Sequence, residues 1–317
     1  MLYKALDITA IILTYNEEIH IRRCLENVNQ FASKVFVVDC FSTDRTVEIA
    51  KSLGATVVQH TWPGNQAEQF NWALAHLQID TEWVLRLDAD EYITDELIKE
   101  LRDRVPVLPD HVSAVVLPLG RAFLGKILKH GIVNDIKMIR LFRPGKVKYE
   151  LRLMDEHLEV LEGETITFKY RFIDDNRNSL KYFIEKHNNY SSREAALLLD
   201  AEYQLIENES FDNKSSFCVE VQQKRLQKKR YARLPLFWRS FGYFVYRYFV
   251  KFGFLDGKEG FLWDFLQGWW YRTLVDAKIF EIKRACGTDR EKIRVYLEEK
   301  YGIVLSGSKK KAENVED

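Results

Sequence analysis

The sequence has no run of eighteen uncharged apolar residues, so no transmembrane helix is expected. Lys4 and Asp7 break the first apolar stretch and no small-residue cleavage site follows, which argues against a secretory signal peptide. Cysteine is sparse. Cys24, Cys40, Cys218 and Cys286 are scattered, with neither metal-ligand spacing nor a disulfide framework. They read as small reduced residues in or near a core, as in an intracellular protein. No Gly-x-Gly-x-x-Gly follows any early strand, which argues against a nicotinamide enzyme. Net charge is missing too, since 47 Lys and Arg balance 47 Asp and Glu. The balance hides an asymmetry: residues 1–110 carry ten basic and eighteen acidic side chains, so the remainder is basic. The acidic half can hold an anionic nucleotide only through a cation and backbone N–H groups, and the basic half suits anionic lipid.

What is present is an alternation of strand and helix. Ile8 to Leu13 is a short apolar run rich in β-branched residues, ending in Thr14-Tyr15-Asn16-Glu17. An amphipathic pattern follows through Ile19, Ile21, Leu25 and Val28. Val35 to Val38 is a second strand, ending in Asp39. After Ser42-Thr43-Asp44 the run Thr46 to Leu53 reads as a helix, with Asp44 placed to cap it and Gly54 to end it. Ala55 to Val58 is a third strand, and the alternation predicts a parallel sheet. Gln66 to Leu77, with Gln69 and Asn71, reads as a helix, and its Trp72 is expected in the core rather than as a sugar platform. The most informative stretch is Val84-Leu85-Arg86-Leu87-Asp88-Ala89-Asp90-Glu91. Asp and Glu suit strands poorly, so the strand should stop there. Asp88 and Asp90 then lie at the carboxyl end of a sheet, where open α/β sheets bind ligands. Two hard carboxylates in a tight turn suit Mg²⁺ or Mn²⁺.

Together, the Thr14-Tyr15-Asn16-Glu17 turn, Val37-Val38-Asp39-Cys40-Phe41-Ser42-Thr43-Asp44-Arg45-Thr46 and Leu87-Asp88-Ala89-Asp90-Glu91 resemble family 2 glycosyltransferases. The nearest subgroup resembles bacterial glucosyltransferases of the lipopolysaccharide core and of exopolysaccharides. The resemblance is strong over residues 8–105 and weaker to 175. It implies an α/β, GT-A nucleotide-sugar fold, a mostly parallel sheet flanked by helices, and an inverting transfer. It also implies donor-site roles: Thr14 and Tyr15 line the base and ribose, Glu17 and Asp39 lie near the nucleoside, and Asp44 shapes the turn. Asp88 approaches the ribose and the metal, and Asp90 ligates the metal. Arg86 either pairs with a carboxylate or reaches the phosphates. Cys40 and Phe41 depart from the family, which often has Ser or Asn and then Gly, so the turn after Asp39 is expected to differ in shape. Arg45 often stands as Gly in relatives.

Downstream, a helix from near Thr94 ends in the proline-bearing stretch Arg102 to Pro109. Val112 to Leu119 reads as a strand, Gly120 to Gly131 as a basic loop, and Lys137 to Arg143 as an alternating strand. Pro144-Gly145 should turn it onto a partner strand, Val147 to Leu151. Met154-Asp155-Glu156-His157-Leu158 follows, where family relatives place an acidic residue. An inverting transfer needs a base opposite the leaving diphosphate, and a carboxylate of raised pKa serves. Glu156 is the first candidate and Asp155 the second. His157 would ligate the metal or bind the diphosphate.

After Asp174-Asp175 the chain turns helical, beginning with Ser179 to Leu199. Lys224 to Arg233 packs six positive charges into ten positions, beside the aromatic segments Phe241 to Phe254 and Phe261 to Phe280. Arg239, Arg247 and Lys251 are interspersed. Interfacial helices on an anionic membrane fit this pattern, and a helical bundle with an aromatic core is the alternative. No nucleic-acid recognition motif accompanies the basic run. The expected organisation is a catalytic domain at 1–175, a helical, aromatic-rich, membrane-associating appendage at 176–305 and a disordered tail at 306–317. The expected function is metal-dependent transfer of a sugar from a nucleotide-diphosphate sugar, by default UDP, to a lipid-linked glycan on the inner face of the cell membrane. Two other classes compete. A sugar-nucleotide pyrophosphorylase would want a glycine-rich basic loop after the first strand, which Thr14-Tyr15-Asn16-Glu17-Glu18 lacks. A catalytically silent glycan- or membrane-binding protein would not need Asp88, Asp90 and an acidic base.

Overall fold

Four apolar runs become strands β1 (Leu6–Thr14), β2 (Ala32–Asp39), β3 (Thr56–Gln59) and β4 (Trp83–Asp88), paired in parallel in the order β3-β2-β1-β4. The computed structural model describes residues 4–133, 136–149, 158–206 and 231–305. Between the strands run α1 (Ile21–Val28), α2 (Thr46–Ser52) and α3 (Gln66–His76). Successive strand residues face opposite sides. Ile8, Ala10 and Ile12 pack with Val37, Leu85 and α1 residues Cys24 and Leu25 on one side. Ile11, Val38 and Val84 pack with Phe70 and Ala73 of α3 on the other. A parallel sheet needs both faces covered, and this one has them.

Next come β5 (Glu91–Ile93), α4 (Asp95–Arg104), β6 (Val112–Phe123), β7 (Lys126–Leu128), β8 (Lys137–Phe142), β9 (Val147–Tyr149), β10 (Leu158–Val160), β11 (Glu164–Thr167) and β12 (Phe172–Asp174). β8 enters antiparallel between β4 and β6, and β12 lies parallel to β6 with β5 antiparallel at its other side. Gly120 of β6 permits that contact, because a Cβ there would stand 2.4 Å from Ile173 Cδ1. Among the described residues the sheet has ten strands and is mainly parallel.

Two expectations are corrected here. The stretch 120–131 is not a plain loop: β6 continues to Phe123 and turns through Leu124 (φ 50°) and Gly125 (φ 82°) into β7. Both central residues of that two-residue turn have positive φ, the conformation that matches strand twist. The strand after Pro144-Gly145 does not return onto β8, because β4 and β6 occupy both edges of β8. Instead β9 pairs with β10. A smaller difference concerns α2. Its N-cap residue is Arg45, while Asp44 accepts from Thr46 N at 2.9 Å and from Glu18 N at 3.1 Å.

The chain divides into two compact units. The first holds residues 1–178 and 248–262, so the sheet unit includes α7 (Gly257–Trp263) to residue 262. The 248–262 segment is anchored by buried Asp256, whose carboxylate accepts from Lys129 N at 2.9 Å and His130 N at 2.8 Å. The second unit, 179–247 and 263–317, contains α5 (Leu180–Tyr203), α6 (Trp238–Val245), α8 (Tyr271–Cys286) and α9 (Arg290–Tyr301). Ser179 caps α5 by accepting from Tyr182 N. The core of this unit joins Ala195, Leu199, Tyr271, Val275, Ile279, Ile282, Ile293 and Leu297. Part of the aromatic-rich sequence is therefore core. Arg239 and Arg247 are buried as well, each bonded to a buried aspartate: Arg239 to Asp276 and Arg247 to Asp264 at 2.8 Å. A buried cation needs such a partner, so these two arginines are not interfacial charges. Most of the basic run, residues 224–230, and the tail 306–317 lie outside the described residues. Among the described residues no helix is long and apolar enough to cross a membrane.

Candidate active site

The carboxyl ends of β1, β2 and β4 meet at one edge because these strands are parallel and in register, with Leu13 beside both Val38 and Asp88. The β1–α1 and β2–α2 loops are stitched together there. Thr14 is buried and its hydroxyl donates to Asp39 Oδ1 at 3.0 Å. Asp39 is fully buried, and its Oδ2 accepts from Ser42 N at 2.9 Å and Gln59 Nε2 at 3.2 Å. Thr43 N donates to Asn16 Oδ1 at 2.8 Å, and Glu17 N to Thr46 Oγ1 at 2.7 Å. Tyr15 is exposed, and the Glu17 carboxylate meets His20 Nδ1 at 2.5 Å. Asp44 stays below its ordinary carboxylate pKa: burial alone would raise it, but hydrogen bonds from the Thr46 hydroxyl and amide outweigh that. Phe41 takes φ 58°, the left-handed conformation that glycine adopts freely. The turn thus keeps a glycine-like backbone in spite of its different residue, at a cost of about 1–2 kcal/mol.

Asp88 ends β4 with its side chain 29% exposed, above a buried charge network. Its Oδ1 accepts from Arg86 Nη2 and from Gln66 Nε2, both at 3.0 Å, and its Oδ2 lies 3.5 Å from Arg140 Nη2. Arg86 is therefore paired with a carboxylate. Its guanidinium also sits 5.1 Å from the Tyr149 ring centroid. Arg140 contacts Glu91 Oε1, and Glu91 Oε2 accepts from Asp88 N at 2.9 Å. Both Arg140 and Glu91 are buried. Burial pushes the Glu91 carboxyl up to about 8, against the pull of Arg140 and despite its hydrogen bond from Asp88 N. Burial also raises the Tyr149 phenol. Asp90 is held by a separate contact, its Oδ2 accepting from Asn176 Nδ2 at 2.8 Å.

Trp72 is partly buried and stacked, with ring centroids 3.9 Å from His60 and 4.7 Å from His76. Glu156, Asp155 and His157 lie outside the described residues. Gln66, Glu91, Arg140 and Asn176 were not singled out from the sequence. An arginine inside the alternating strand Lys137-Met138-Ile139-Arg140-Leu141-Phe142 was the available signal for one of them.

The donor set suits a hard divalent cation. Asp88 and Asp90 offer carboxylate oxygens at a strand end, and Mg²⁺ or Mn²⁺ commonly binds one or two carboxylates plus substrate phosphates and water. Among the described residues no group of three His, Cys, Asp or Glu side chains gathers as a metal site. Two protein ligands completed by a diphosphate is the arrangement these residues permit.

Residues 9–149 match the family model described as Glycosyl transferase family 2. An uncharacterized glycosyltransferase of Rickettsia bellii is 43% identical over 98 residues, which is 31% of this chain and 31% of that protein. The match thus spans under a third of that relative's length. The lipopolysaccharide core biosynthesis glycosyltransferase LpsC of Rhizobium meliloti is 27% identical over 151 residues, 46% of this chain and 54% of LpsC. Among solved structures, the mannosyltransferase PcManGT of Pyrobaculum calidifontis, in complex with GDP-Man and Mn²⁺, is 16% identical with a TM-score of 0.48. That alignment covers 87% of this chain and 88% of PcManGT.

Proposed function

From the premise that this chain carries a family 2 glycosyltransferase domain of GT-A fold, we propose that it is a metal-dependent inverting hexosyltransferase. It takes a sugar from a nucleotide-diphosphate sugar, UDP before GDP, and delivers it to a hydroxyl of a lipid-linked glycan in lipopolysaccharide or exopolysaccharide synthesis. The observation that carries this reading is the partly exposed Asp88 carboxylate, fixed by Arg86, Gln66 and Arg140 beside the stitched loops of β1 and β2. The likeness to LpsC supports a lipopolysaccharide-type acceptor.

In this reading the β1–α1 and β2–α2 loops hold the nucleoside, with Thr14, Tyr15, Glu17 and Asp39 shaping its seat. Asp88 would face the ribose and, with Asp90, would hold the cation. A Mg²⁺ or Mn²⁺ bound there would neutralise the charge that develops on the leaving diphosphate. Arg86 and Arg140 hold the Asp88 carboxylate in place. Glu156, or Asp155, removes the acceptor proton from the opposite side, and His157 assists at the metal or the diphosphate.

The test is thermal unfolding against a panel of nucleotide sugars with and without Mn²⁺. A donor at 100 times its dissociation constant stabilises by about 2.7 kcal/mol. One nucleotide sugar is expected to raise the melting temperature only when Mn²⁺ is present, and Asp90→Ala should abolish that rise while leaving the unliganded melting temperature unchanged. Near-normal turnover in Asp90→Ala removes the metal assignment.

We place the enzyme on the inner membrane face. Both units expose large apolar side chains, Trp238 in the second and Phe249, Phe252 and Leu255 in the first. Large exposed apolar patches mark interaction surfaces, and each Lys or Arg near an anionic surface adds about 1 kcal/mol. The protein should float with anionic vesicles at low salt and release as salt rises. Exchanging Lys228, Lys229 and Arg230 for Gln should release it without lowering donor hydrolysis. A protein that stays in solution with anionic vesicles at low salt refutes the membrane assignment.

A further inference from the structure

Asp90 follows a strand end, where a carboxylate would ordinarily sample several rotamers. Here it is held from the loop that follows β12, the strand paired with β5. Asn176, in the loop after β12, donates from Nδ2 to Asp90 Oδ2 at 2.8 Å. The amide orientation is defined by its other end, since Asn176 Oδ1 accepts from Asn178 N at 3.0 Å. An amide has donors on one side and an acceptor on the other, so the NH₂ must face Asp90. Asp90 Oδ1 has no hydrogen-bond partner among the described residues.

The loop that carries Asn176 is itself tied down. Asp175 N and Arg23 Nη2 donate to the Asp90 carbonyl at 3.0 and 2.9 Å. Arg23 of α1 pairs with the buried Asp175 carboxylate and donates to the Asp175 carbonyl at 3.0 Å. Arg177 N donates to Nε2 of the fully buried His20 at 2.9 Å, and the other ring nitrogen of His20 meets Glu17. The β1–α1 loop, the Asp88-Ala89-Asp90 turn and the loop after β12 are thus locked to one another within the first unit.

We propose that Asn176 is a positioning residue for the cation: it grips one oxygen of the Asp90 carboxylate and leaves the other turned toward the metal. This rests on the reading of Asp90 as a metal ligand. Groups that orient a ligand from behind typically alter metal affinity by roughly 10–100-fold when removed.

The experiment is Mn²⁺ binding to the full chain, read by the loss of the free-ion electron paramagnetic resonance signal, with UDP present and absent. Asn176→Ala is expected to weaken Mn²⁺ binding by roughly 10–100-fold with little change in the melting temperature. Asn176→Ser is the second variant. Its hydroxyl can still accept from Asn178 N and preserve the turn, but it is too short to reach Asp90, so it should weaken Mn²⁺ to the same degree. Asp90→Asn is the control. If Asp90→Asn loses Mn²⁺ while both Asn176 variants bind it normally, the positioning role is overturned and the metal reading stands. If Asp90→Asn binds Mn²⁺ normally, the metal reading itself falls, and the inference with it.

Discussion

Glu156→Gln is expected to lower turnover by roughly 10²–10⁴-fold, the usual worth of a positioned base, while nucleotide-sugar affinity stays within the error of the wild type. The amide keeps the size of the side chain and loses its capacity to take the acceptor proton. Donor binding depends instead on the β1–α1 and β2–α2 loops and on Asp88 and Asp90, so the thermal shift produced by the donor with Mn²⁺ should persist. Single-turnover transfer to an acceptor hydroxyl, measured beside donor binding, separates the two effects. If only Asp155→Asn shows that pattern, the base is Asp155. If neither does, both are excluded as the base.

Arg140→Met should be the most destabilising single change at the site, by about 3–5 kcal/mol at pH 9, as expected when one partner of a buried pair is removed. Arg140 is buried and contacts both Glu91 and Asp88. The cost should depend on pH. Burial raises the folded-state pKa of Glu91 from 4.5 to about 8, so the proton is held more tightly in the native than in the unfolded chain. A group raised in this way contributes stability at low pH that is lost as the pH climbs through its folded value. Without Arg140 the folded pKa rises further, and the gap between variant and wild type opens only above about pH 8. Near pH 6 Glu91 is protonated in both native proteins, and the penalty reduces to lost packing and the lost contact with Asp88. Urea unfolding at pH 6 and pH 9 measures this. A cost that is equal at both pH values, or larger at pH 6, rejects the role given to Glu91. A partial recovery in Arg140→Met with Glu91→Leu would show that the charge, not the volume, dominates.

The parts of this protein that are legible in its sequence are those set by local pattern. β1, β2 and β4 are short apolar runs buried on both faces, and such runs announce themselves without knowledge of their partners. The α5 start is marked by Ser179, and the α4 start by Thr94, each a side-chain cap. Asp88 and Asp90 were visible because carboxylates interrupt an apolar strand. What was hidden is what pairing over long distances decides. Arg140 finds Glu91 across 49 positions, Asn176 finds Asp90 across 86, and Arg23 finds Asp175 across 152. β9 looked like the partner of β8 because a Pro-Gly turn joins them, and only the occupancy of both β8 edges shows otherwise. Arg239 and Arg247 looked like interfacial charges because their aspartate partners stand 37 and 17 positions away.

The first unit borrows residues 248–262 from beyond a long excursion through the second. Emerging chains fold from the N-terminus as synthesis proceeds. The main sheet, with its ten strands all encoded before residue 175, can therefore form early. The loop at 129–130 nevertheless waits for Asp256 to receive its two backbone N–H groups. Assembly of the two units is consequently interleaved rather than sequential. No single cut of the chain separates them, because a fragment ending at residue 178 carries its sheet without the segment that finishes it, and the complementary fragment carries that segment with nothing to close.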